Sequence, residues 1–388
     1  MKLTFRLPGV PTRWTSSFLA LSLFLASCNA NQTTESTATT GAATDTTAAM
    51  ADTSATAGGR PVKPAGAAPA WAPNIAPEMQ TVIEKLASLS GPTPPEKLPV
   101  ADVRKAPSAT DATMAVMKDF GIPTPPSTVD TMSREVAPGV KARIYTPKGA
   151  TGPLPVVVYY HGGGWVIATL DTYDPSVRAL AEQTGAIFVS VAYRQAPENK
   201  FPTAHNDSFA AYQWVLKNAA SIKGDPKRVA VAGESAGGNL AAAVCMMARD
   251  KGVMQPKHQL LVYPIAGYDL NTPSYQKNAA AKPLSKPFMA WFFDKYLRTP
   301  ADGENPLISL VTAPNLKGLA PATVIGAGID PLMSEGKTYA DKLQAAGIPV
   351  TYKLYDNVTH EFFGMGAVVP QAKEAEALAA GELKKALQ

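Results

Sequence analysis

From about residue 155 onward, short apolar runs alternate with stretches in which apolar residues recur every three or four positions. The runs predict buried strands, and the recurring pattern predicts helices with one buried face. The predicted strands are 155–160, 186–192, 228–233, 258–263, 321–327 and 349–355, and the predicted helices are 174–183, 203–218, 236–249, 334–345 and 371–386. This alternation predicts an α/β fold in which helices flank both faces of a mostly parallel central sheet.

Residues 75–130 depart from this alternation. Apolar residues have helical spacing in 77–89 and 108–120, but prolines interrupt the region repeatedly, so we expect a small helical segment outside the main sheet. The strand patterns in 132–138 and 140–146 then predict a hairpin that opens the main domain.

A second interruption is the aromatic-rich stretch 271–300, which predicts an insertion that folds over the top of the sheet. We therefore expect a helical segment over 75–130, followed by one large domain over 131–388 that contains the insertion. The length of the second part suits a single α/β domain with a sizeable core.

The first 28 residues have the pattern of an export signal. Lys2, Arg6 and Arg13 precede a short apolar run over 15–27, which ends in small residues before Cys28. The run is short for a transmembrane helix, which needs about 20 residues. The tetrad LASC that ends at Cys28 resembles a bacterial lipobox, which implies that 1–27 is cleaved off and that the Cys28 sulfur carries a diacylglycerol. An ordinary signal peptide with an unrelated cysteine is the alternative.

Residues 28–74 are expected to form a lipid anchor and a flexible tether. Thr, Ala, Ser and Gly dominate from 29 to about 70, and this composition buries too little apolar surface to offset its ordering entropy. We therefore expect an exported protein anchored to a bacterial membrane, in the cell envelope, through Cys28. The other cysteine, Cys245, then has no partner, and its apolar helical context predicts a small buried side chain.

Composition excludes one class of partner. The formal net charge is +5, but Lys and Arg are scattered and form no dense run. Nucleic-acid binding proteins cluster these residues on one face or in one segment, so we expect no nucleic-acid partner.

The run GESAG at 233–237 lies directly after a predicted strand and directly before a predicted helix. A G-x-S-x-G in this context is typical of a nucleophile elbow, a tight turn that needs small flanking residues and exposes its serine at the carboxyl edge of the sheet. We therefore predict that Ser235 is a nucleophile. A glycine-rich turn without chemistry is the alternative.

A serine hydroxyl needs a base to accept its proton. Only two of the four histidines, His258 and His360, follow Ser235, as the order serine, acid, histidine requires. His258 begins a predicted strand, at the wrong edge of the sheet, whereas His360 follows the last predicted strand. Asp330 lies just past another strand end and is the predicted acid that fixes the histidine tautomer. The alternatives are Asp356 as the acid, or a plain turn at Asp330.

The run HGGGW at 161–165 follows the predicted central strand and resembles the oxyanion loop of lipases and esterases. Glycines let the backbone approach a substrate closely and direct its N–H groups inward. We predict that the amides of Gly163, Gly164 and Ala236 stabilise an oxyanion and that His161 braces the loop. A glycine-rich turn is again the alternative.

With these motifs together, the chain resembles the hormone-sensitive-lipase-like family of bacterial esterases from about residue 140 to its end. The shared motifs are HGGGW at 161–165, YRQAPE at 193–198, GESAGGNL at 233–240, DPL at 330–332 with Glu335, and His360. The resemblance implies an α/β-hydrolase fold, short- to medium-chain carboxylic esters as substrates, and neither a metal nor an organic cofactor. It also implies a two-part cap made from the N-terminal helices and the 271–300 insertion.

Two positions differ from the family's usual pattern. Glu234 stands where the family often has Asp or Thr, and Glu361 stands where it often has Gly. Glu361 adds a charge beside the predicted base, which puts the pH optimum and the acyl pocket in doubt but not the reaction class.

The sequence is also compatible with other functions. An amidase, peptidase or deacetylase can use the same three residues, and a non-catalytic ligand-binding protein can be built on the same fold. A true lipase acting on long triglycerides is a further alternative. The expected partners are a small-molecule ester and a membrane, and the sequence does not reveal the oligomeric state.

Overall fold

The structure is a computed structural model that describes residues 60–388. The predicted signal peptide over 1–27, the predicted lipidation site Cys28 and the tether up to residue 59 lie outside the described residues. Between residues 60 and 388, eight strands and ten α-helices alternate over most of the length.

The strands are β1 Val129–Ala137, β2 Val140–Pro147, β3 Leu154–Tyr160, β4 Ile187–Ala192, β5 Gly224–Glu234, β6 Gln259–Val262, β7 Ala322–Ile329 and β8 Val350–Thr359. The α-helices are α1 Pro77–Leu89, α2 Val100–Val103, α3 Ala109–Phe120, α4 Asp174–Thr184, α5 Thr203–Asn218, α6 Ala236–Asp250, α7 Pro273–Lys277, α8 Lys286–Tyr296, α9 Met333–Ala345 and α10 Pro370–Leu387. All eight strands form one sheet, in the order β1-β2-β4-β3-β5-β6-β7-β8. The pairs β1–β2 and β2–β4 are antiparallel and the other five are parallel, so the predicted α/β fold is confirmed.

The sheet is buried on both faces, because successive side chains of its central strands enter two different apolar clusters. In β3, Val156 and Val158 lie in the cluster formed with α5, α6 and α9, whereas Val157 and Tyr159 lie in the cluster formed with α1, α3, α4 and α10. All four side chains are almost completely buried. Burial on both faces explains why this strand is apolar at every position rather than at every second one.

The last part of the predicted tether is structured. The Arg60 N–H donates to the Phe120 carbonyl oxygen at 3.2 Å, and the Ala65 N–H donates to the Glu84 carboxylate at 2.6 Å. The expectation of a flexible tether is therefore wrong over residues 60–74, which lie against α1 and α3. Backbone hydrogen bonds supply much of this contact, and they leave little trace in amino-acid composition.

The N-terminal helices and the insertion both contact loops at the carboxyl edge of the sheet. Arg104, directly after α2, donates to the Ala196 carbonyl oxygen at 2.7 Å and pairs with Glu198 at 2.8 Å, in the loop after β4. Phe292 of α8 packs on the loop after β3 so closely that a Cβ atom on Gly164 would lie 2.1 Å from its ring. Both parts therefore contact loops at the edge of the sheet at which the predicted site residues lie.

A buried polar network joins α5 and α6. The imidazole of His205 and the amide of Asn239 are completely buried, and His205 Nε2 lies 3.0 Å from Asn239 Oδ1. Asn239 Nδ2 donates to the carbonyl oxygens of Ile265 and Ile308, each at 3.0 Å. His205 Nε2 therefore carries the proton, and Nδ1 accepts from the Tyr296 hydroxyl at 2.7 Å. Burial lowers the pKa of His205 to about 4, so its ring is neutral.

Replacing Asn239 by leucine should destabilise the fold by about 3 kcal/mol, because the exchange leaves the buried carbonyl oxygens of Ile265 and Ile308 without the donor they have in the wild type. The free energy of unfolding, measured by urea titration, tests this. Asn315→Leu is the matched control, since Asn315 is exposed and its side chain accepts a hydrogen bond from the nearby Lys317 N–H. Equal stability of the two variants would contradict the role given to this network.

Candidate active site

Ser235 occupies a sharp turn between β5 and α6. Its backbone has φ 57° and ψ −118°, a conformation that residues other than glycine rarely adopt. The neighbouring glycines are required by space: a Cβ atom on Gly233 would lie 2.1 Å from the Gly237 carbonyl oxygen, and one on Gly237 would lie 1.9 Å from the Tyr160 carbonyl oxygen. The strand–turn–helix arrangement predicted for a nucleophile elbow is therefore present.

The structure brings Ser235, His360 and Asp330 together. His360 Nε2 lies 2.9 Å from Ser235 Oγ, and His360 Nδ1 lies 2.7 Å from Asp330 Oδ2. Asp330 follows β7 and His360 follows β8, so parallel strands deliver both side chains to the edge where the serine stands. The other carboxylate oxygen of Asp330 accepts the Leu332 N–H at 2.9 Å, which fixes the acid in its loop.

The surroundings of His360 suit its predicted role as a base. Burial, the largest single influence, lowers the pKa of His360, but the charge and hydrogen bond of Asp330 together with the charges of Glu361 and Glu234 outweigh it. The net result is a pKa above the usual 6.5. Because Asp330 is an acceptor, Nδ1 carries the proton and Nε2 is free to accept the proton of Ser235 Oγ.

The alternative residues lie elsewhere. Asp356 belongs to β8 and is exposed, whereas the hydrogen bond to His360 Nδ1 is made by Asp330. His258 precedes β6 at the opposite edge of the sheet and is hydrogen-bonded to Thr323 Oγ1 at 2.9 Å.

His161 is buried directly after β3, where Tyr193 stacks on its ring at 4.3 Å and the Gly162 carbonyl oxygen lies 2.8 Å from its Nδ1. Burial lowers its pKa to about 4, so the ring is neutral. The Tyr193 hydroxyl also donates to the His161 carbonyl oxygen at 2.9 Å. These contacts suit a side chain that braces the loop after β3.

The predicted oxyanion amides lie next to the serine turn. Gly163 and Gly164 have φ values of 91° and 57°, which favour glycine, and Ala236 is the first residue of α6. Within residues 60–388, none of the three N–H groups donates to a protein acceptor, whereas the Gly163 carbonyl oxygen is used by Val166 and Ile167. The amides are thus available to an anion, and the N-terminus of α6 favours negative charge there.

Sequence reasoning missed a layer of tyrosines around the site. The hydroxyls of Tyr159 and Tyr263 donate to the two oxygens of Glu234, which is buried directly before the serine. Burial, together with the charge of Glu361, raises the pKa of Glu234 to about 7. The Tyr173 hydroxyl donates to Glu361, at 2.7 and 2.9 Å from its two oxygens. No motif marks these tyrosines, because in the sequence they look like ordinary core residues.

Residues 60–388 contain neither a metal-binding cluster nor a membrane-spanning helix. Between residues 60 and 388, His, Cys, Asp and Glu side chains form no group suited to a metal ion. None of the helices in that range combines the length and apolar character needed to cross a membrane.

Comparisons with known proteins fit this geometry. A family model for the alpha/beta hydrolase fold matches residues 157–364. The chain is 42% identical over 251 residues to carboxylesterase NlhH of Mycobacterium tuberculosis, which is 64% of this chain and 79% of that protein. It is 34% identical over 219 residues to ethyl acetate hydrolase of Pseudomonas putida, covering 56% and 69% of the two chains. A thermostable esterase from Pseudomonas putida superimposes with a TM-score of 0.74 at 34% identity, over 81% of this chain and 98% of that one.

Asp330→Asn should lower kcat by roughly 10³- to 10⁴-fold, because an amide in this position favours the wrong tautomer of the histidine. The matched control is Asp356→Asn, which makes the same chemical change at the rejected candidate acid and should leave kcat near that of the wild type. Steady-state kinetics on a p-nitrophenyl ester, with circular dichroism to check folding, distinguish the two acids. A larger loss in the Asp356 variant would reverse the assignment.

The same assay gives the pH dependence. His360 must be neutral to accept a proton, so kcat/KM of the wild type should be high above the raised pKa and fall as the pH drops through it. The midpoint of the acid limb should therefore lie above 6.5. A midpoint below this value would show that the carboxylates do not act on His360 as described.

Proposed function

The chain belongs to the hormone-sensitive-lipase-like family of alpha/beta hydrolases, and from this premise we propose that Ser235, His360 and Asp330 hydrolyse esters in two acyl-transfer steps. The protein is a carboxylic ester hydrolase, in line with the curated carboxylesterases to which it is similar. The roles of individual residues and the substrate range are parts of the proposal.

In the first step Ser235 Oγ attacks the ester carbonyl carbon while His360 Nε2 takes the hydroxyl proton. The negative charge that develops on the carbonyl oxygen is stabilised by the amides of Gly163, Gly164 and Ala236. The bond to the alcohol oxygen then breaks, and the proton on Nε2 passes to that oxygen, which leaves an acyl-enzyme and a free alcohol.

In the second step water takes the place of the alcohol. His360 removes a proton from the water, the resulting oxygen attacks the acyl carbon, and the same amides stabilise the second oxyanion. The bond to Ser235 Oγ breaks as the proton on Nε2 returns to the serine, which releases the carboxylic acid. Asp330 stabilises the imidazolium in both steps and does not itself take up the proton.

One observation carries this proposal: the unbroken line of hydrogen bonds from Asp330 through His360 to Ser235. A binding protein without catalysis has no use for a serine aligned with a paired base. The same line suits an amidase, but the similar proteins are named as esterases, which favours esters over amides.

Short- to medium-chain esters are the proposed substrates. Ser235 is only 4% exposed beneath the loops that contact α2 and α8, which favours small acyl groups over long ones. One similar protein is named ethyl acetate hydrolase, and that name also points toward short esters.

Ser235→Ala should abolish hydrolysis of p-nitrophenyl butyrate while leaving the protein folded, because the variant loses the nucleophile and retains the surrounding contacts. The wild type should hydrolyse the acetate and butyrate esters faster than the palmitate ester, and it should hydrolyse the ester faster than the matching anilide. Activity retained by the alanine variant, with unchanged circular dichroism, would refute the assignment of the nucleophile.

We propose further that the chain is exported and anchored to a bacterial membrane by a diacylglycerol on Cys28. The support is the sequence alone: a basic start, a short apolar run and the tetrad LASC over 25–28. Two or more acyl chains give stable anchoring, whereas one chain gives only marginal binding. The Thr- and Ala-rich stretch that follows would let the enzyme act at a distance from the membrane surface.

Cys28→Ser should move the protein from the membrane fraction to the soluble fraction of a bacterial host and abolish its labelling by palmitate. The specific activity per mole of protein should stay the same, because the anchor makes no contribution to the chemistry. Cys245→Ser is the matched control and should remain labelled in the membrane fraction. Membrane retention of the Cys28 variant would count against the anchor.

A further inference from the structure

Glu361 differs from the other carboxylates of the site in its exposure. Its side chain is 22% exposed, whereas Asp330 and Glu234 are buried. Its Oε1 lies 3.7 Å from His360 Nε2, and the single proton of the Tyr173 hydroxyl is shared between its two oxygens.

The same hydroxyl locates Glu361 relative to the loop that carries the oxyanion amides. A Cβ atom placed on Gly162 would lie only 2.1 Å from the oxygen of Tyr173, so the hydroxyl lies against the backbone of that loop. The Glu361 carboxylate therefore lies close both to His360 and, through Tyr173, to the loop that carries the predicted oxyanion amides.

The backbone conformation of Glu361 independently indicates that its side chain has a function. Its φ of 69° is in the left-handed region that favours glycine. A larger residue in this conformation costs on the order of 1 kcal/mol or more, and such strain is concentrated at functional sites. Glycine would adopt this backbone conformation without that cost, but it would lack the carboxylate.

The position of Glu361 relative to His360 Nε2 determines which part of a substrate it meets. Nε2 gives its proton to the leaving alcohol oxygen, so that oxygen comes within about 3 Å of Nε2. Glu361 Oε1 then lies within about 7 Å of the alcohol oxygen. A charged group two carbons along the alcohol chain can therefore approach the carboxylate.

The charges around this position are unbalanced. The Asp330 charge is paired with His360 Nδ1, and the Glu234 oxygens are occupied by two tyrosine hydroxyls. Within residues 60–388, His360 is the only basic side chain within ion-pair distance of Glu361. A cation carried by the substrate would supply the missing countercharge.

We infer that Glu361 determines specificity on the alcohol side, so that the enzyme prefers esters of amino alcohols to uncharged esters of the same shape. This inference rests on ester hydrolysis at Ser235. The carboxylate attracts an ammonium group near the ester oxygen, and by the same reasoning it disfavours alcohols that carry an anion.

The test compares two substrates of the same shape, choline butyrate and 3,3-dimethylbutyl butyrate, which differ by a quaternary nitrogen in place of a quaternary carbon. At about pH 8, where carboxylates are normally ionised, kcat/KM of the wild type should be about fivefold higher for the choline ester. Glu361→Gln should bring the ratio of the two kcat/KM values to about one, because it removes the charge and keeps the size. Glu361→Gly, which suits the backbone, should do the same.

Glu374→Gln is the matched control, since it removes one negative charge from an exposed position on α10 and should keep the wild-type ratio. Equal kcat/KM values for the two esters in the wild type would overturn the inference. A ratio that persists in both Glu361 variants would also overturn it. Failure of the wild type to hydrolyse either ester, or any other, would instead contradict the proposed esterase chemistry, so the two failures are distinguishable.

Discussion

The site depends on how closely three backbone segments approach one another beneath Ser235. The start of α6 lies against the end of β3 and against the end of β5, and neither contact leaves room for a Cβ atom on Gly233 or Gly237. This approach forces the serine into its unusual backbone conformation and directs its hydroxyl beyond the sheet edge. The oxyanion loop starts at the end of the same β3 strand, and the parallel strands β7 and β8 end nearby. The glycine contacts therefore position the proposed nucleophile, and the ends of β3, β7 and β8 bring the predicted amides, acid and base to the same edge of the sheet.

The main features of this arrangement could be predicted from the sequence because they follow from simple rules. Strands buried on both faces are apolar throughout, and the amphipathic periodicity of α1 and α5 matches the observed bounds Pro77–Leu89 and Thr203–Asn218. The carboxyl ends of parallel strands meet at one edge, so residues just past two strand ends had to lie near the serine. With few histidines in the chain, this rule selected His360 and, with the structure, Asp330 over Asp356.

Other features could not be predicted, because they depend on contacts between distant segments. The ordered stretch 60–74 makes hydrogen bonds to α1 and α3 and packs on the apolar cluster through Trp71 and Ala72, although most of its residues resemble those of a flexible linker. The hydroxyls that surround Glu234 come from Tyr159 at the end of β3 and Tyr263 after β6. Each tyrosine looks like a core residue in its own segment, and only the strand order brings the two hydroxyls to the same carboxylate.

Three carboxylates lie near the His360 imidazole, and burying each of them carries a desolvation cost that is offset in a different way. The Asp330 carboxylate is stabilised by its hydrogen bond to His360 Nδ1. The Glu361 carboxylate is partly exposed to solvent and accepts a hydrogen bond from the Tyr173 hydroxyl. Glu234 accepts hydrogen bonds from Tyr159 and Tyr263, but it is buried without a basic partner, and burial with the nearby Glu361 charge raises its pKa to about 7. Because the folded state favours the protonated form of Glu234, its contribution to stability is present below the usual 4.5 and is lost as the pH rises toward 7. A proton on Glu234 reduces repulsion within the site, and it leaves the negative charge on the two carboxylates that contact the base.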